Sequence, residues 1–213
     1  MSLPPLYAIL DTDAVIERGW TAPDVCRAWL SAGVRLIQLR AKRLASGPLL
    51  ELADEIVTLC RACGAQVIIN DRADVAAMAG ASGVHVGQQD LLPAEARVCV
   101  GSSGIVGLST HTYPQLVLGA QQPVSYLAFG PVYATATKDT GYSALGLEAV
   151  RHAAVVASTA GLPLVAIGGM TIERAPWVRE AGAESVAVIT DLLTPPDLAG
   201  VEARARAWVA GLD

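Results

Sequence analysis

The strongest constraint on the fold is a regular alternation of short β-rich runs with segments of helical periodicity. Eight runs rich in valine, leucine and isoleucine recur along the chain, and a helical pattern follows most of them. The β-rich runs lie at residues 6–10, 34–39, 66–69, 83–86, 105–108, 126–129, 162–167 and 185–189. The helical patterns lie at residues 23–31, 48–63, 73–79, 114–120, 147–160, 172–181 and 197–210, with a short, ambiguous one at 93–97.

This alternation predicts right-handed βαβ units with parallel strands. Eight consecutive units predict a closed (β/α)8 TIM barrel of the α/β class, and an open doubly wound sheet is the alternative. No linker, low-complexity stretch or charge block divides residues 1–213. We therefore expect a single barrel domain.

Composition and charge exclude several classes of function. Apolar residues make up 53% of the chain and charged residues 16%, which excludes a disordered chain. The net charge is −5 and the longest basic stretch is residues 40–43, so we expect no nucleic acid partner. Mean hydropathy is +0.44, yet no apolar run approaches the ~18 residues of a membrane-spanning helix. The N-terminus does not resemble a signal peptide, and we expect a cytoplasmic protein without a membrane partner.

Two of the four cysteines, Cys60 and Cys63, have the spacing of a redox or zinc motif. No second pair of cysteines and no nearby pair of histidines accompanies them, and they fall late in a helical pattern. We therefore expect free thiols that pack as small apolar side chains.

Polar residues are concentrated after the β-rich runs, whereas the segments before the runs are less polar. The runs lead into DTD at 11–13, QLRAK at 38–42, NDR at 70–72, GQQD at 87–90, STH at 109–111, GP at 130–131, GG at 168–169 and TD at 190–191. Active sites of TIM barrels lie at the carboxyl ends of the strands. The asymmetry therefore predicts a functional site at that end.

The second β-rich run places basic and amide groups on one face. Its period of two puts Gln38 and Arg40 on the same face, with Lys42 above them. These donors have no acid nearby in sequence, which favours an anionic ligand such as a phosphate. A solvated basic loop is the alternative.

Two carboxylates, Asp71 and Asp90, follow adjacent strands. Without paired histidine or cysteine they favour a hard cation, and Mg²⁺ commonly combines one or two carboxylates with substrate phosphates. The competing interpretation is that Asp71 caps the helix that follows it, beside Arg72.

Two later segments suit a second anionic group. Gly168 and Gly169 would let backbone approach a ligand closely, at the position where phosphate sites recur in these barrels. The polar loop after the sixth strand carries Thr135, Thr137 and Lys138. A simple tight turn and a merely solvated loop are the respective alternatives.

The histidines differ in their surroundings. His85 lies between two valines and is expected to fill the barrel interior as a hydrogen-bonded residue. His111 follows a strand end and is the better candidate for the site, whereas His152 falls in a helical pattern and is expected at the surface.

Taken together, these segments resemble the thiamine-phosphate synthase family. The matching pieces are VRLIQLRAK at 34–42, INDR at 69–72, GVHVGQQD at 83–90, GLSTH at 107–111, GPVYATATK at 130–138 and AIGG at 166–169. Each motif alone is weak, but the ordered set covers most of the chain and is specific.

The resemblance implies a (β/α)8 barrel that joins a pyrimidine diphosphate to a thiazole phosphate. The products would be thiamine phosphate and pyrophosphate, with Mg²⁺ on the diphosphate. The implied mechanism is dissociative: the diphosphate departs and the thiazole nitrogen captures a pyrimidine-methyl cation. The implied partners are these small molecules, and association into a homo-oligomer stays open.

The resemblance also assigns site residues. Those for the pyrimidine diphosphate are Gln38, Arg40, Lys42, Asn70, Ser109 and Lys138, of which Arg40, Ser109 and Lys138 would be catalytic. Those for the thiazole phosphate are Thr135, Ala136, Thr137, Gly168, Ile189 and Thr190. The metal ligands would be Asp71 and Asp90.

This sequence departs from the family pattern in a few places. Ala41 stands where an acid is common, Thr190 where serine is common, and Asp191 where a small residue is usual. The Asp191 carboxylate would repel a phosphate that it faced. We expect it to turn away and cap the following turn, and pairing with Arg174 or Lys42 is the alternative.

Other functions compete with this interpretation. A thiazole tautomerase on a similar barrel would need no site for Mg²⁺ and diphosphate, so Asp71, Asp90 and Lys138 argue against it. A phosphosugar isomerase would need the glycine pair but not the paired carboxylates. A non-catalytic barrel would bind thiamine phosphate without turnover.

Overall fold

The computed structural model describes residues 2–135 and 142–212. Its strands are β1 (Leu6–Asp11), β2 (Leu36–Arg40), β3 (Gln66–Asn70), β4 (Gly83–Val86), β5 (Ile105–Thr110), β6 (Tyr126–Phe129), β7 (Leu164–Ile167) and β8 (Ser185–Val188). Each strand pairs in parallel with the next along the chain, and β8 pairs with β1 to close the barrel. The prediction of a closed (β/α)8 barrel is therefore confirmed, and an open sheet is excluded.

Helices connect the strands and cover the barrel. They are α1 (Thr12–Glu17), α2 (Ala22–Ser31), α3 (Ser46–Ala62), α4 (Ala73–Met78), α5 (Pro93–Val100), α6 (Tyr113–Gly119), α7 (Gly146–Thr159), α8 (Ala175–Glu180) and α9 (Leu198–Leu212). A 3-10 helix spans Thr190–Leu193. Within the described residues, no helix combines the length and apolarity needed to cross a membrane.

One helix was not expected, and another begins later than expected. Helix α1 was not predicted, because residues 11–13 were interpreted as the polar segment after the first strand. The Asp11 carboxylate starts this helix by accepting from the Ala14 N–H at 3.1 Å. Helix α8 begins at Ala175 rather than at residue 172. Residues 171–174 form a turn, and Pro176 stands in the first turn of the helix, where its missing N–H costs little.

Side chains alternate between the barrel interior and the layer beneath the helices. Leu36 packs inside with Tyr126, whereas Ile37 packs outside under the helices. Gln38 and Arg40 continue the inner face of β2 toward its carboxyl end. The predicted face of this strand is therefore confirmed, and it directs both polar side chains into the barrel mouth.

Candidate active site

The site lies at the carboxyl ends of the strands, where two cavities meet. The larger, of about 400 Å³, is lined by residues that follow β5, β6, β7 and β8. The smaller, of about 40 Å³, lies within the barrel and is lined by residues from all eight strands. Ser109 of β5 lines both cavities, so the two form one continuous candidate site.

The structure brings most of the candidate residues to these cavities. The smaller cavity is lined by Gln38, Arg40, Asn70 and Ser109, and the larger by Ser109, Thr135, Gly168, Ile189 and Thr190. The candidates Ala136, Thr137 and Lys138 lie outside the described residues.

Acids from neighbouring strands pair with the basic residues of β2. Arg40 forms an ion pair with Asp11 at the end of β1, and Lys42 forms one with Asp71 after β3. Although no acid lies near these cations in the sequence, the fold places acids beside both of them, because parallel strands bring their carboxyl ends together. The Arg40 and Asp11 side chains are 17% and 4% exposed, so the pair holds the guanidinium in a fixed direction.

Asp71 and Asp90 lie side by side at the rim of the mouth. Asp71 has a left-handed φ of 64°, and its backbone N–H donates to the carbonyl of His85 at 2.7 Å. Asp90 accepts from the Gly87 N–H at 2.7 Å. The alternative role for Asp71 is wrong: Arg72 occupies the cap position of α4, and no side chain caps that helix.

The electrostatics of Asp71 reflect this crowding. Burial raises its pKa, the Lys42 ammonium lowers it, and the neighbouring Asp90 carboxylate raises it again. The net direction of the Asp71 pKa is upward, with burial as its largest cause. Across the described residues, no group of three or more His, Cys, Asp or Glu side chains converges as a metal cage. The arrangement is thus a pair of carboxylates that leaves most of a cation's coordination to other ligands.

The glycine pair after β7 does more than form a tight turn. Gly168 has a φ of 102°, and a Cβ there would lie 2.6 Å from the Cα of Pro131. The Val132 N–H donates to the carbonyl of Ile167 at 2.9 Å, and the Tyr133 N–H to that of Gly168 at 3.1 Å. The glycine therefore lets the chain after β6 pack directly on the chain after β7, which shapes one wall of the larger cavity.

Asp191 is among the residues that line the larger cavity, and neither of the two cations that the sequence offered as partners binds its carboxylate. Its carboxylate accepts two hydrogen bonds of 2.8 Å from one nitrogen of Arg204 and another of 2.6 Å from the Trp208 indole N–H. It caps no helix and pairs with neither Lys42 nor Arg174. Arg174 instead donates to the carbonyl of Gly169 at 2.6 Å and lies over the Tyr133 ring at 4.4 Å. Helix α9 packs against the 3-10 helix, and this packing brings Arg204 within hydrogen-bond distance of the Asp191 carboxylate.

The histidines occupy the expected places. His85 is buried in the barrel interior, His111 lies at the mouth, and His152 is exposed on α7. Nδ1 of His111 donates to the carbonyl of Gly130 at 2.7 Å, and its ring stacks on Tyr142 with centroids 4.6 Å apart. His111 therefore shapes the wall of the larger cavity.

Sequence reasoning missed several residues of the site. Asp11 was noted only as a strand end, and Tyr7 and Tyr126 were not singled out. The two tyrosine hydroxyls lie 2.9 Å apart inside the barrel, and Gln38 donates to Tyr7 at 2.8 Å. A period of two in β1 places Tyr7 on one face with Ile9, but nothing in sequence shows that Tyr126 meets it.

The known proteins that are similar to this chain share closely related descriptions. A profile of the family described as Thiamine monophosphate synthase matches residues 6–192. The chain is 40% identical over 193 residues to the thiamine-phosphate synthase of Azorhizobium caulinodans, covering 91% of this chain and 89% of that one. It is 42% identical over 200 residues to the thiamine-phosphate synthase of Koribacter versatilis, covering 92% of each. A solved structure of thiamine phosphate pyrophosphorylase from Pyrococcus furiosus superposes with a TM-score of 0.83 at 26% identity, covering 98% of this chain and 96% of that one.

Proposed function

The chain belongs to the thiamine monophosphate synthase family, and we propose that it joins 4-amino-2-methyl-5-(diphosphooxymethyl)pyrimidine to 4-methyl-5-(2-phosphooxyethyl)thiazole. The products are thiamine phosphate and pyrophosphate, which makes the protein a transferase of thiamine biosynthesis. The observation that carries the proposal is the pair Asp71 and Asp90 beside Lys42, at the carboxyl ends of strands whose residues line the smaller cavity. Such a mouth suits a diphosphate with its metal next to a second ligand.

Mg²⁺ fits the donor set. Asp71 and Asp90 offer hard carboxylate oxygens, and the pKa of Asp71 is raised by burial first and then by the neighbouring Asp90 carboxylate. Among residues 2–135 and 142–212 no third acidic, histidine or cysteine side chain joins them, which matches a cation that keeps waters and takes phosphate oxygens. When bound, Mg²⁺ would neutralise charge on the diphosphate.

The pyrimidine diphosphate is assigned to the side of the mouth formed by β2 to β5. Arg40 and Lys42 would contact diphosphate oxygens, with their directions set by Asp11 and Asp71. Further contacts are assigned to Gln38, Asn70, Ser109 and Lys138. The proximity of Gln38, Asn70 and Ser109 around the smaller cavity supports this assignment.

The thiazole phosphate is assigned to the side formed by β6 to β8. The larger cavity is lined there by Thr135, Gly168, Ile189 and Thr190, and the family pattern adds Ala136 and Thr137. Backbone N–H groups and hydroxyls can bind a phosphate without a full positive charge. Arg174 lines the same cavity and adds positive potential near that phosphate.

The chemistry asks little of proton transfer. The C–O bond to the diphosphate breaks, its electron pair leaves with the diphosphate, and the thiazole nitrogen captures the pyrimidine-methyl cation. Arg40, Lys42, Ser109 and Lys138 would stabilise the negative charge that grows on the leaving group. Binding both substrates in adjoining cavities supplies proximity.

We also propose that residues 1–213 form one domain that acts in the cytoplasm on these two small molecules. We expect neither nucleic acid nor a membrane as a partner, and association into a homo-oligomer stays open.

The proposal is tested by incubating the protein with both heterocycles and Mg²⁺ and identifying products by mass spectrometry. We expect thiamine phosphate and pyrophosphate, and a strong loss of both in Asp90→Asn. Asp54→Asn, an exposed position on α3, is the matched control and should behave as wild type. An isomerised thiazole phosphate without pyrophosphate would indicate a tautomerase instead, and binding without turnover would indicate a non-catalytic barrel.

A further inference from the structure

A continuous chain of hydrogen bonds runs through the barrel interior and both of its ends reach the mouth. The Gln38 amide donates to the Tyr7 hydroxyl at 2.8 Å, and the hydroxyls of Tyr7 and Tyr126 lie 2.9 Å apart. The Tyr126 hydroxyl lies 2.8 Å from Nδ1 of His85, and Nε2 of His85 lies 2.7 Å from Oγ of Ser109. Three of these residues, Tyr7, Tyr126 and His85, have no role in the function proposed above.

The direction of every bond in this chain is coupled to the others. Because Gln38 donates to Tyr7, the Tyr7 hydrogen is available for the oxygen of Tyr126. The Tyr126 hydrogen then points to Nδ1 of His85, which must be the unprotonated ring nitrogen. The neutral imidazole consequently carries its proton on Nε2 and donates to Ser109.

The opposite direction is less favourable. If His85 carried its proton on Nδ1, it would donate to Tyr126, and Tyr126 would donate to Tyr7. Tyr7 would then accept twice, and its own hydrogen would lack an acceptor among the described residues. Leaving a buried donor without a partner costs about 1–3 kcal/mol, so the first arrangement is preferred.

Both tyrosine hydroxyls stay protonated. Tyr7 is 1% exposed and Tyr126 is fully buried. Burial raises the pKa of both phenols above the ordinary value, so neither ionises at physiological pH. The rings of Tyr7 and Tyr126 meet edge to face at 82°, and the Tyr126 ring stacks on His85 with centroids 5.6 Å apart. This packing fixes the hydroxyls in line.

The direction of these hydrogen bonds determines what Ser109 can offer a ligand, because the series ends at Ser109, which lines both cavities. When Nε2 of His85 donates to Oγ, the Ser109 hydrogen is free to point toward a ligand at the mouth. When the direction is reversed, the Ser109 hydrogen is used on His85, and only lone pairs face the ligand. The first state attracts an anion and the second repels it.

We propose that Tyr7, Tyr126 and His85 are positioning residues that hold Ser109 as a hydrogen-bond donor to the leaving diphosphate. This inference rests on the proposed function and adds to it the reason for a buried aromatic chain inside the barrel. The donor contributes more as charge grows on the leaving group, so the chain acts on the chemical step rather than on substrate binding.

The tautomer of His85 is the direct test and needs no turnover. Nitrogen-15 NMR of histidine-labelled protein distinguishes a protonated Nε2 from a protonated Nδ1, and spectra of His152→Gln and His111→Gln assign the signals. We expect His85 to be neutral with its proton on Nε2, and to lose this single tautomer in Tyr126→Phe. A proton on Nδ1 in the unmodified protein would reverse the chain and overturn the proposal.

A kinetic cycle tests the link to Ser109. Tyr126→Phe should slow single-turnover pyrophosphate release about tenfold, with the KM for the pyrimidine diphosphate little changed. In a Ser109→Ala background the same substitution should have no further effect. Tyr113→Phe, at an exposed tyrosine on α6, is the matched control and should match wild type.

Equal losses in both backgrounds would mean that Tyr126 acts only through packing, which would overturn the proposal. Tyr7→Phe provides a second variant if Tyr126→Phe does not fold, and it should change the rate in the same direction. If the unmodified protein forms no thiamine phosphate, the proposed function fails, while the NMR result still decides the direction of the chain.

Discussion

Asp191→Ala should destabilise the protein by about 3 kcal/mol without weakening the site. The carboxylate accepts from the Trp208 indole at 2.6 Å, and Trp208 is fully buried. Losing this acceptor leaves a buried N–H unpaired, at a cost of about 1–3 kcal/mol. The pair with Arg204 is partly buried, with side chains 10% and 27% exposed, and adds about 1 kcal/mol once solvent screening is allowed for.

Urea denaturation and thermal melting measure this loss. For a chain of this length, about 3 kcal/mol lowers Tm by roughly 6–12 °C. Asp191→Asn retains an acceptor for Trp208 and should lose only about 1 kcal/mol. Asp24→Ala is the matched control: its pair with Arg27 is about half exposed, and its loss should cost less than about 1 kcal/mol.

Binding of the thiazole phosphate should change less than about threefold in Asp191→Ala, because the Arg204 guanidinium neutralises the carboxylate and α9 holds it in place. A tenfold gain in affinity with unchanged stability would refute this reasoning. It would mean that the carboxylate faces the phosphate and that the contacts to α9 contribute nothing.

Three further predictions concern the diphosphate side of the site. Asp90→Asn should raise the Mg²⁺ concentration needed for half-maximal turnover at least tenfold, checked by Mg²⁺ titration. Burial raises the pKa of Asp71, so the folded protein releases that proton at a higher pH than the unfolded chain does. The stability contributed by the protonated carboxyl should therefore fall as pH rises through the folded pKa, while Mg²⁺ binding tightens over the same range; urea titrations with and without Mg²⁺ check both. Lys138→Ala should slow single-turnover pyrophosphate release more than it weakens thiazole binding, because charge grows on the leaving group; a pure loss of thiazole affinity would contradict that role.

The barrel could be predicted from sequence because its information is local. Each strand is a short apolar run, each helix has its own period, and turn residues separate them, so eight repeats sufficed to predict closure. Helix α1 was missed because its first residues were interpreted as the polar segment that ends the first strand. The start of α8 was misplaced because a turn before Pro176 has the same composition as a helix start.

The strand ends that carry the candidate residues could be predicted, but the pairings between those residues could not. Gln38 and Arg40 lie at the end of β2, and Asp71 and Asp90 follow β3 and β4. Parallel strands bring such ends together whatever the details of packing. The partner of Arg40 is Asp11, which is 29 residues away in sequence. Such pairings depend on side-chain directions across neighbouring strands.

The partners of Asp191 could not be predicted from the sequence either. Its position near the phosphate site was evident in the sequence, and its turning away was expected. Its partners, Arg204 and Trp208, lie on α9, whose packing angle against the barrel is set by the whole apolar layer. Arg204 is only 13 residues from Asp191, but nothing in the sequence shows that α9 turns back toward it.

The most direct test of the proposed function is the stoichiometry of the two products under single-turnover conditions. With Mg²⁺ and both heterocycles, we expect one pyrophosphate for each thiamine phosphate, formed at the same rate. Without the thiazole phosphate, net pyrophosphate release should be far slower. Pyrophosphate release without thiamine phosphate in the complete mixture, or no release at all, would contradict the assignment of this barrel mouth as a synthase site.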